Sequence, residues 1–402
     1  MIQSSLVQLG ETDVPGVRPV LLAKGFRPFF LLAAAYVALA ILIWVFALGG
    51  MVDLGTYFGA TYWHAHEMVF GFATAVIAGF LLTAVGNWTG METAVGLRLG
   101  ALVALWIIGR VAVLFAARLP HPLAAVLDLV FLPALAVACA RPMLASANQR
   151  NYQFVGMLGA LFLANLGMHL GALGVAPAWI RRGAWLGVDI VILMIVVMTA
   201  RIVPMFTRNA TRVESIHNLP TLDHLASAGM LALVVFDAAG VDERFAAVLA
   251  TLVGTAVAAR SATWGTQHTL RHPLLWVLHA GHAFVALGLV LRGVSFLVPA
   301  LTPSAALHAL TAGGIGMLTL GMMARVALGH TGRMLAVGKP MTLGFAALAL
   351  AALLRVCGPL FGLQAYRPTV MTAGCLFALG FAVYVVVYLR ILLAPRPDGK
   401  PG

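Results

Sequence analysis

Residues 28–48 read PFFLLAAAYVALAILIWVFAL, with no charged side chain from Pro28 to Leu48. A helix needs about 20 consecutive apolar residues to cross the hydrocarbon core of a bilayer. The stretch meets that length, and it does not alternate in polarity as a lipid-facing strand of a barrel does. A membrane-spanning helix is the reading that accounts for it.

The same pattern recurs along the chain, separated by short polar connections. Working outward from Pro28–Leu48, further helices are predicted at Trp63–Val85, Gly96–Ala117, Pro122–Ala140, Tyr152–Leu173 and Gly183–Phe206. Two shorter ones follow at Leu222–Ala239 and Arg244–Ala262, then Pro273–Leu297, Ser304–Leu328, Met341–Phe361 and Thr369–Leu393. The expectation is an all-α bundle of about 12 transmembrane helices forming one domain over residues 1–394. The polar, Pro- and Gly-containing tail over residues 395–402 is expected to be disordered. Glycines at Gly167 and Gly171, and at Gly313, Gly314 and Gly316, point to close helix contacts.

Only 9% of the 402 residues are charged and 62% are hydrophobic, against about 25% charged in a soluble domain. The bilayer is therefore the main partner. The formal net charge of +12 follows from topology, because Lys and Arg are retained in cytoplasmic connections; no nucleic acid need be invoked. Of the 25 Lys and Arg, Arg118, Arg181, Arg182, Arg244 and Arg367 lie on the side opposite the N-terminus. Arg110, Arg201, Arg292, Arg325 and Arg355 lie within helices, and the other fifteen share the N-terminal side. Both termini are thus expected in the cytoplasm. The N-terminus up to Arg18 lacks the apolar core of a cleavable signal peptide. Cys139, Cys357 and Cys375 all sit in apolar runs without motif spacing, which excludes a disulfide framework or a Cys-based metal motif.

Polar side chains at membrane depth are costly and mark function by default. Here histidine dominates. His64, His66, Glu67, His169, Asp189 and His308 fall in one layer near the outer face, which suits a metal or heme site. His279 and His282, i and i+3 on one helix, gather toward the cytoplasm with Arg201, Arg325 and His330. Asp128 is the remaining buried acid. At about 100° per residue, His64 shares a face with Glu67 and Met68 while His66 points some 200° away. A regular helix therefore cannot bring both histidines to one metal. Neutral imidazole is the common ligand of heme iron and copper, and the number of buried histidines favours metal or heme binding over purely helix-joining roles.

Three stretches carry a likeness to one family. They are Gly25-Phe26-Arg27-Pro28-Phe29-Phe30; Tyr62-Trp63-His64-Ala65-His66-Glu67-Met68-Val69-Phe70-Gly71 with Asn87-Trp88-Thr89-Gly90; and Gly321-Met322-Met323-Ala324-Arg325-Val326 through Gly329-His330-Thr331-Gly332-Arg333. The chain resembles the NnrS family over nearly its whole length. That resemblance implies a heme- and copper-containing protein of the bacterial inner membrane, linked to nitric oxide metabolism or protection against nitrosative stress. It assigns no ligand. The candidate cofactor-binding residues are His64, His66, His169, His279, His282, His308 and His330, with Arg27, Arg201 or Arg325 pairing heme propionates. The candidate metal ligands are His64, His66, Glu67, His169 and His308. Nitric oxide, small and apolar, is the expected small-molecule ligand. A more distant likeness, in helix count and a His-bearing second helix, is to the catalytic subunit of heme–copper oxidases, as fold analogy only.

Two other readings are open at this point. A secondary transporter of metal or heme also has 12 helices, but Met91–Arg98 lacks the Asp-Arg loop of the major facilitator class and no repeat is evident. A membrane assembly or sensing protein would use the histidines only to join helices.

Overall fold

The computed structural model describes residues 20–54, 57–298 and 301–399. Arg18, Lys400 and the remainder of the expected N-terminal segment lie outside the described residues. Twelve helices among the described residues are long and apolar enough to cross a membrane, and no strand accompanies them. In chain order they are α1 Phe26–Leu48, α2 Gly59–Thr89, α3 Gly96–Leu114, α4 His121–Ala145, α5 Gln149–Ala172 and α6 Trp179–Thr211. The second half comprises α7 Pro220–Ala239, α8 Glu243–Thr263, α9 Pro273–Val294, α10 Pro303–His330, α11 Lys339–Phe361 and α12 Gln364–Leu393.

Successive helices pack side by side, and α12 returns against α1, so the bundle closes on itself. The Arg27 guanidinium at the start of α1 donates to the carbonyls of Leu392 (2.7 Å) and Ala394 (2.9 Å) at the end of α12. One end of the bundle, here the terminal end, therefore carries both the start of α1 and the end of α12. Arg27 satisfies carbonyls that the end of a helix leaves open. Beyond α12, Arg396 donates to the His330 carbonyl at 2.9 Å and pairs with Asp398.

Three helices, each four apart in sequence, occupy the middle. The buried share of the spans is greatest in α2 (78%), α6 (72%) and α10 (67%). These are the walls on which a site enclosed by the bundle must be built. Small residues let the helices close around them. A Cβ at Gly171 would stand 2.4 Å from the Ile180 backbone nitrogen, and one at Gly313 would stand 2.3 Å from the Phe284 ring. The glycine pattern read from the sequence thus corresponds to close approach between α5 and α6 and between α9 and α10.

Two of the central helices are not regular. Residues Glu67–Ala73 of α2 and Ala309–Ile315 of α10 form π-helix. Each π segment begins immediately after a histidine, His66 and His308. Widened turns of this kind are rare and concentrate at functional sites.

Candidate metal and cofactor sites

α2 divides two sites. His64 lines a cavity of about 430 Å³ near the end opposite the termini, enclosed by α1, α2, α6, α10, α11 and α12. His66 lies on the other side of the helix, fully buried in a polar network with α3, α4 and α5. His64 and His66 diverge as expected from the sequence, and Met68 stays with His64, but Glu67, expected on the His64 face, turns instead into the His66 network, where the helix widens into its π segment.

In the cavity, His308 on α10 faces the same space as His64. His308 Nδ1 donates to the Ser304 carbonyl at 2.7 Å, which leaves Nε2 as the lone-pair nitrogen. The His64 ring stacks on Trp44, with centroids 4.3 Å apart and planes at 23°; its Nδ1 is buried without a partner. Arg355 on α11 donates from Nη2 to Ser304 Oγ at 2.9 Å, while its Nε and Nη1 are buried and unpartnered. Arg181 also lines the space, and most of the remaining wall is apolar, including Ile41, Leu48, Phe72, Val188 and Phe377. Buried polar atoms normally have partners, so these orphans mark a place that accepts a polar or metal-bearing group. Ligand and cofactor pockets run to about 300–1,000 Å³ with mostly apolar walls and a few placed polar groups. Imidazole nitrogens, the unpartnered Arg355 donors and an apolar volume suit a group such as heme, whereas Arg181 is largely exposed and already paired with Glu243 at 2.6 Å.

The network behind α2 is built from acids and bases of five helices. Arg110 of α3 donates to Glu67 Oε2 at 2.6 Å and also to Asp128 Oδ1 of α4. Tyr36 of α1 donates to the same Glu67 oxygen. His66 Nδ1 donates to Glu67 Oε1 at 2.8 Å. Its Nε2 then faces two oxygens, Asn165 Oδ1 at 2.9 Å and Asp128 Oδ2 at 3.2 Å. The Asn165 amide is held in that sense because its Nδ2 donates to Asp128 Oδ2 at 2.8 Å. His169 Nε2 lies 2.9 Å from Asp128 Oδ2, and Tyr57 hydrogen-bonds its Nδ1.

Once Nδ1 of His66 carries its proton to Glu67, a neutral Nε2 turns a lone pair toward oxygen lone pairs. Either a second proton on His66 or a cation between them resolves that arrangement. One ligand atom each from His66, Asp128 and His169 lies within 4.8 Å of the others, a group able to hold a metal ion. Two imidazoles and a carboxylate suit zinc, copper, iron or nickel. Each ligand also has an outer partner that fixes its orientation: Glu67 for His66, Tyr57 for His169, and Arg110 with Asn165 for Asp128.

The other sequence candidates lie elsewhere. His279 hydrogen-bonds Thr207 Oγ1 and Thr266 Oγ1, both at 2.9 Å, so both its nitrogens are occupied by hydroxyls. His282 donates to the Val257 carbonyl at 3.0 Å and packs on Trp264. His330 packs against Phe26 at the terminal end, its ring tilted 39° to the phenyl plane. Arg201 donates to Asn151 at 2.8 Å, and Arg325 covers the Phe206 ring at 3.9 Å. None of Arg27, Arg201 and Arg325 lines the cavity; Arg355 and Arg181 do. Asp189, placed in the outer layer by depth, pairs with Arg292, which also holds Asp237. The sequence reading grouped His64, His66, His169 and His308 by depth; the structure divides them into two pairs and adds Asp128, Asn165, Arg110, Tyr36 and Tyr57. A buried Arg110 at the depth of Glu67 was the available signal for that ion network.

The chain matches the NnrS family (NnrS protein) over residues 20–396. No curated protein matches it. The match covers nearly the entire sequence and takes in both sites, and the chain belongs to the NnrS family.

Proposed function

We propose that this protein is a heme- and copper-containing protein of the bacterial inner membrane that acts in nitric oxide metabolism or in protection against nitrosative stress. His64 and His308 would hold heme in the cavity, with Arg355 taking a carboxylate through charge-assisted hydrogen bonds and Arg181 able to do so on leaving Glu243. His66, Asp128 and His169 would hold the copper. The bound metals would supply redox chemistry and affinity for nitric oxide; the chain supplies orientation, charge balance and exclusion of water. The excess of Lys and Arg on the N-terminal side favours a cytoplasmic terminal end, which puts both sites toward the outer leaflet.

One observation carries the reading: adjacent histidines of α2 face opposite ways, each into a constellation with unsatisfied demand. His64 meets a cavity with orphaned nitrogens, and His66 meets an oxygen pair. An absorption spectrum of the detergent-purified protein, taken with iron and copper analysis, tests it. A heme band with copper is expected; a colourless, metal-free preparation contradicts it.

A second reading has its own support. A doubly protonated His66 would balance Glu67 and Asp128 together with Arg110, making the network a clamp that only joins α1 to α5. Under that reading the protein would contain heme without copper.

A further inference from the structure

The helix faces that line the His64/His308 cavity continue past its floor. On α2 the lining passes from Met68 and Phe72 to Val76 and Phe80. On α6 it passes from Ala184 and Val188 to Val191, Ile195 and Met198, and on α10 from Thr311 and Ile315 to Leu318 and Met322. Steps of three and four residues keep to one face of a helix. One seam between α2, α6 and α10 therefore carries two cavities, the second beginning where the lining of the first ends, toward the middle of the spans.

The second cavity holds about 100 Å³. Its walls are aliphatic, aromatic or thioether apart from Thr199 and Thr319. Both hydroxyls already donate to their own helix, Thr199 to the Ile195 carbonyl at 2.8 Å and Thr319 to the Ile315 carbonyl at 2.6 Å. Thr199 Oγ1 also accepts from Arg260 Nη2 at 2.8 Å. A buried water needs about 2–4 polar partners, whereas an apolar cavity of about 150 Å³ stays dry and takes up benzene or xenon. The space here is smaller than that and partly open at its edge, so an apolar occupant of atomic or diatomic size fits within it.

We propose that this cavity is a binding site for small uncharged gases, held at the deep end of the seam that leads to the His64/His308 cavity. The site is independent of whether heme occupies the upper cavity. Phe72, Val188 and Ile315 are the last residues of the first cavity's lining on their helices. A solute of this kind partitions into the bilayer and reaches the bundle without a charged path.

Crystals of the full-length protein pressurised with xenon test the assignment. Anomalous density is expected among Val191, Met194 and Leu318, in preparations with or without heme. Val191→Phe fills the cavity and should abolish that density, while Met194→Ala enlarges it and should raise occupancy several-fold. If Val191→Phe yields no folded protein, Ala73→Leu narrows the space from the opposite wall with the same expectation. Absence of xenon from the native cavity, ordered water in its place, or density indifferent to the filling variant would overturn the proposal.

Discussion

His64 and His66 stand two residues apart on α2 and belong to different sites. His64 stacks on Trp44 and faces the cavity shared with His308. His66 hydrogen-bonds Glu67 and turns its second nitrogen to Asn165 and Asp128. The helix thus acts as a partition, and the π segment from Glu67 to Ala73 begins where the two faces diverge. Two sites on one helix can be tested separately because their other members come from different helices.

Arg355 supplies the only guanidinium in the cavity with two buried, unpartnered nitrogens among the described residues. If those nitrogens hold a carboxylate of the cofactor, Arg355→Leu removes hydrogen bonds to a charged group, each worth about 1.5–3 kcal/mol. Heme is then expected to transfer to a scavenging apoprotein about tenfold faster or more. An unchanged transfer rate would remove Arg355 from the site.

Asp128 contributes the one carboxylate of the metal group. Asp128→Asn keeps its shape but loses the anionic oxygen, and the amide cannot replace a carboxylate in charge. Copper content measured by mass spectrometry should fall well below one per chain while the heme band stays. Copper retained at the native level would place the copper outside this network, and native protein with heme but no copper would favour the clamp reading.

Arg110 is the cation between Glu67 and Asp128. Removing one member of a buried ion pair leaves uncompensated charge and destabilises by about 3–5 kcal/mol. Arg110→Met is therefore expected to lower the thermal unfolding midpoint markedly. Adding Glu67→Gln should recover part of the loss, because one of the stranded charges is then gone. No recovery would mean that the side chain matters for packing rather than charge.

Gly171 lets α5 approach the start of α6. A Cβ there would meet the Ile180 backbone nitrogen at 2.4 Å and its Cα at 2.8 Å, and a backbone cannot rotate aside as a side chain can. Overpacking of this kind typically costs about 1–3 kcal/mol. Gly171→Ala should show that loss in thermal unfolding, whereas Gly159→Ala on the same helix, with nothing within 4 Å of the added atom, should not.

Much of the fold was legible because the bilayer imposes a length and a composition on each span. All twelve helices read from hydropathy are present, although α2 extends back to Gly59 and α6 forward to Thr211. The site was legible in depth only. Hydropathy and charge place a residue along the membrane normal, and helical periodicity gives its direction around one helix. Neither says which helix stands opposite. His64 and His66 were separable on periodicity, but pairing His64 with His308, and His66 with His169, required knowing that α10 faces one side of α2 and α5 the other. The same gap misdirected the arginines: Arg27 caps carbonyls of α12, while Arg355, in the last α-helical turn of α11, faces the cavity. The π segments of α2 and α10 carry no Pro, and nothing in their composition announces them.

The division of labour across α2 is tested most directly by purifying His64→Ala and His66→Ala in parallel and measuring heme and copper in each. The account predicts reciprocal losses: His64→Ala forfeits heme and keeps copper, whereas His66→Ala forfeits copper and keeps heme. Loss of the same cofactor in both variants, or full retention of both in either, would contradict it.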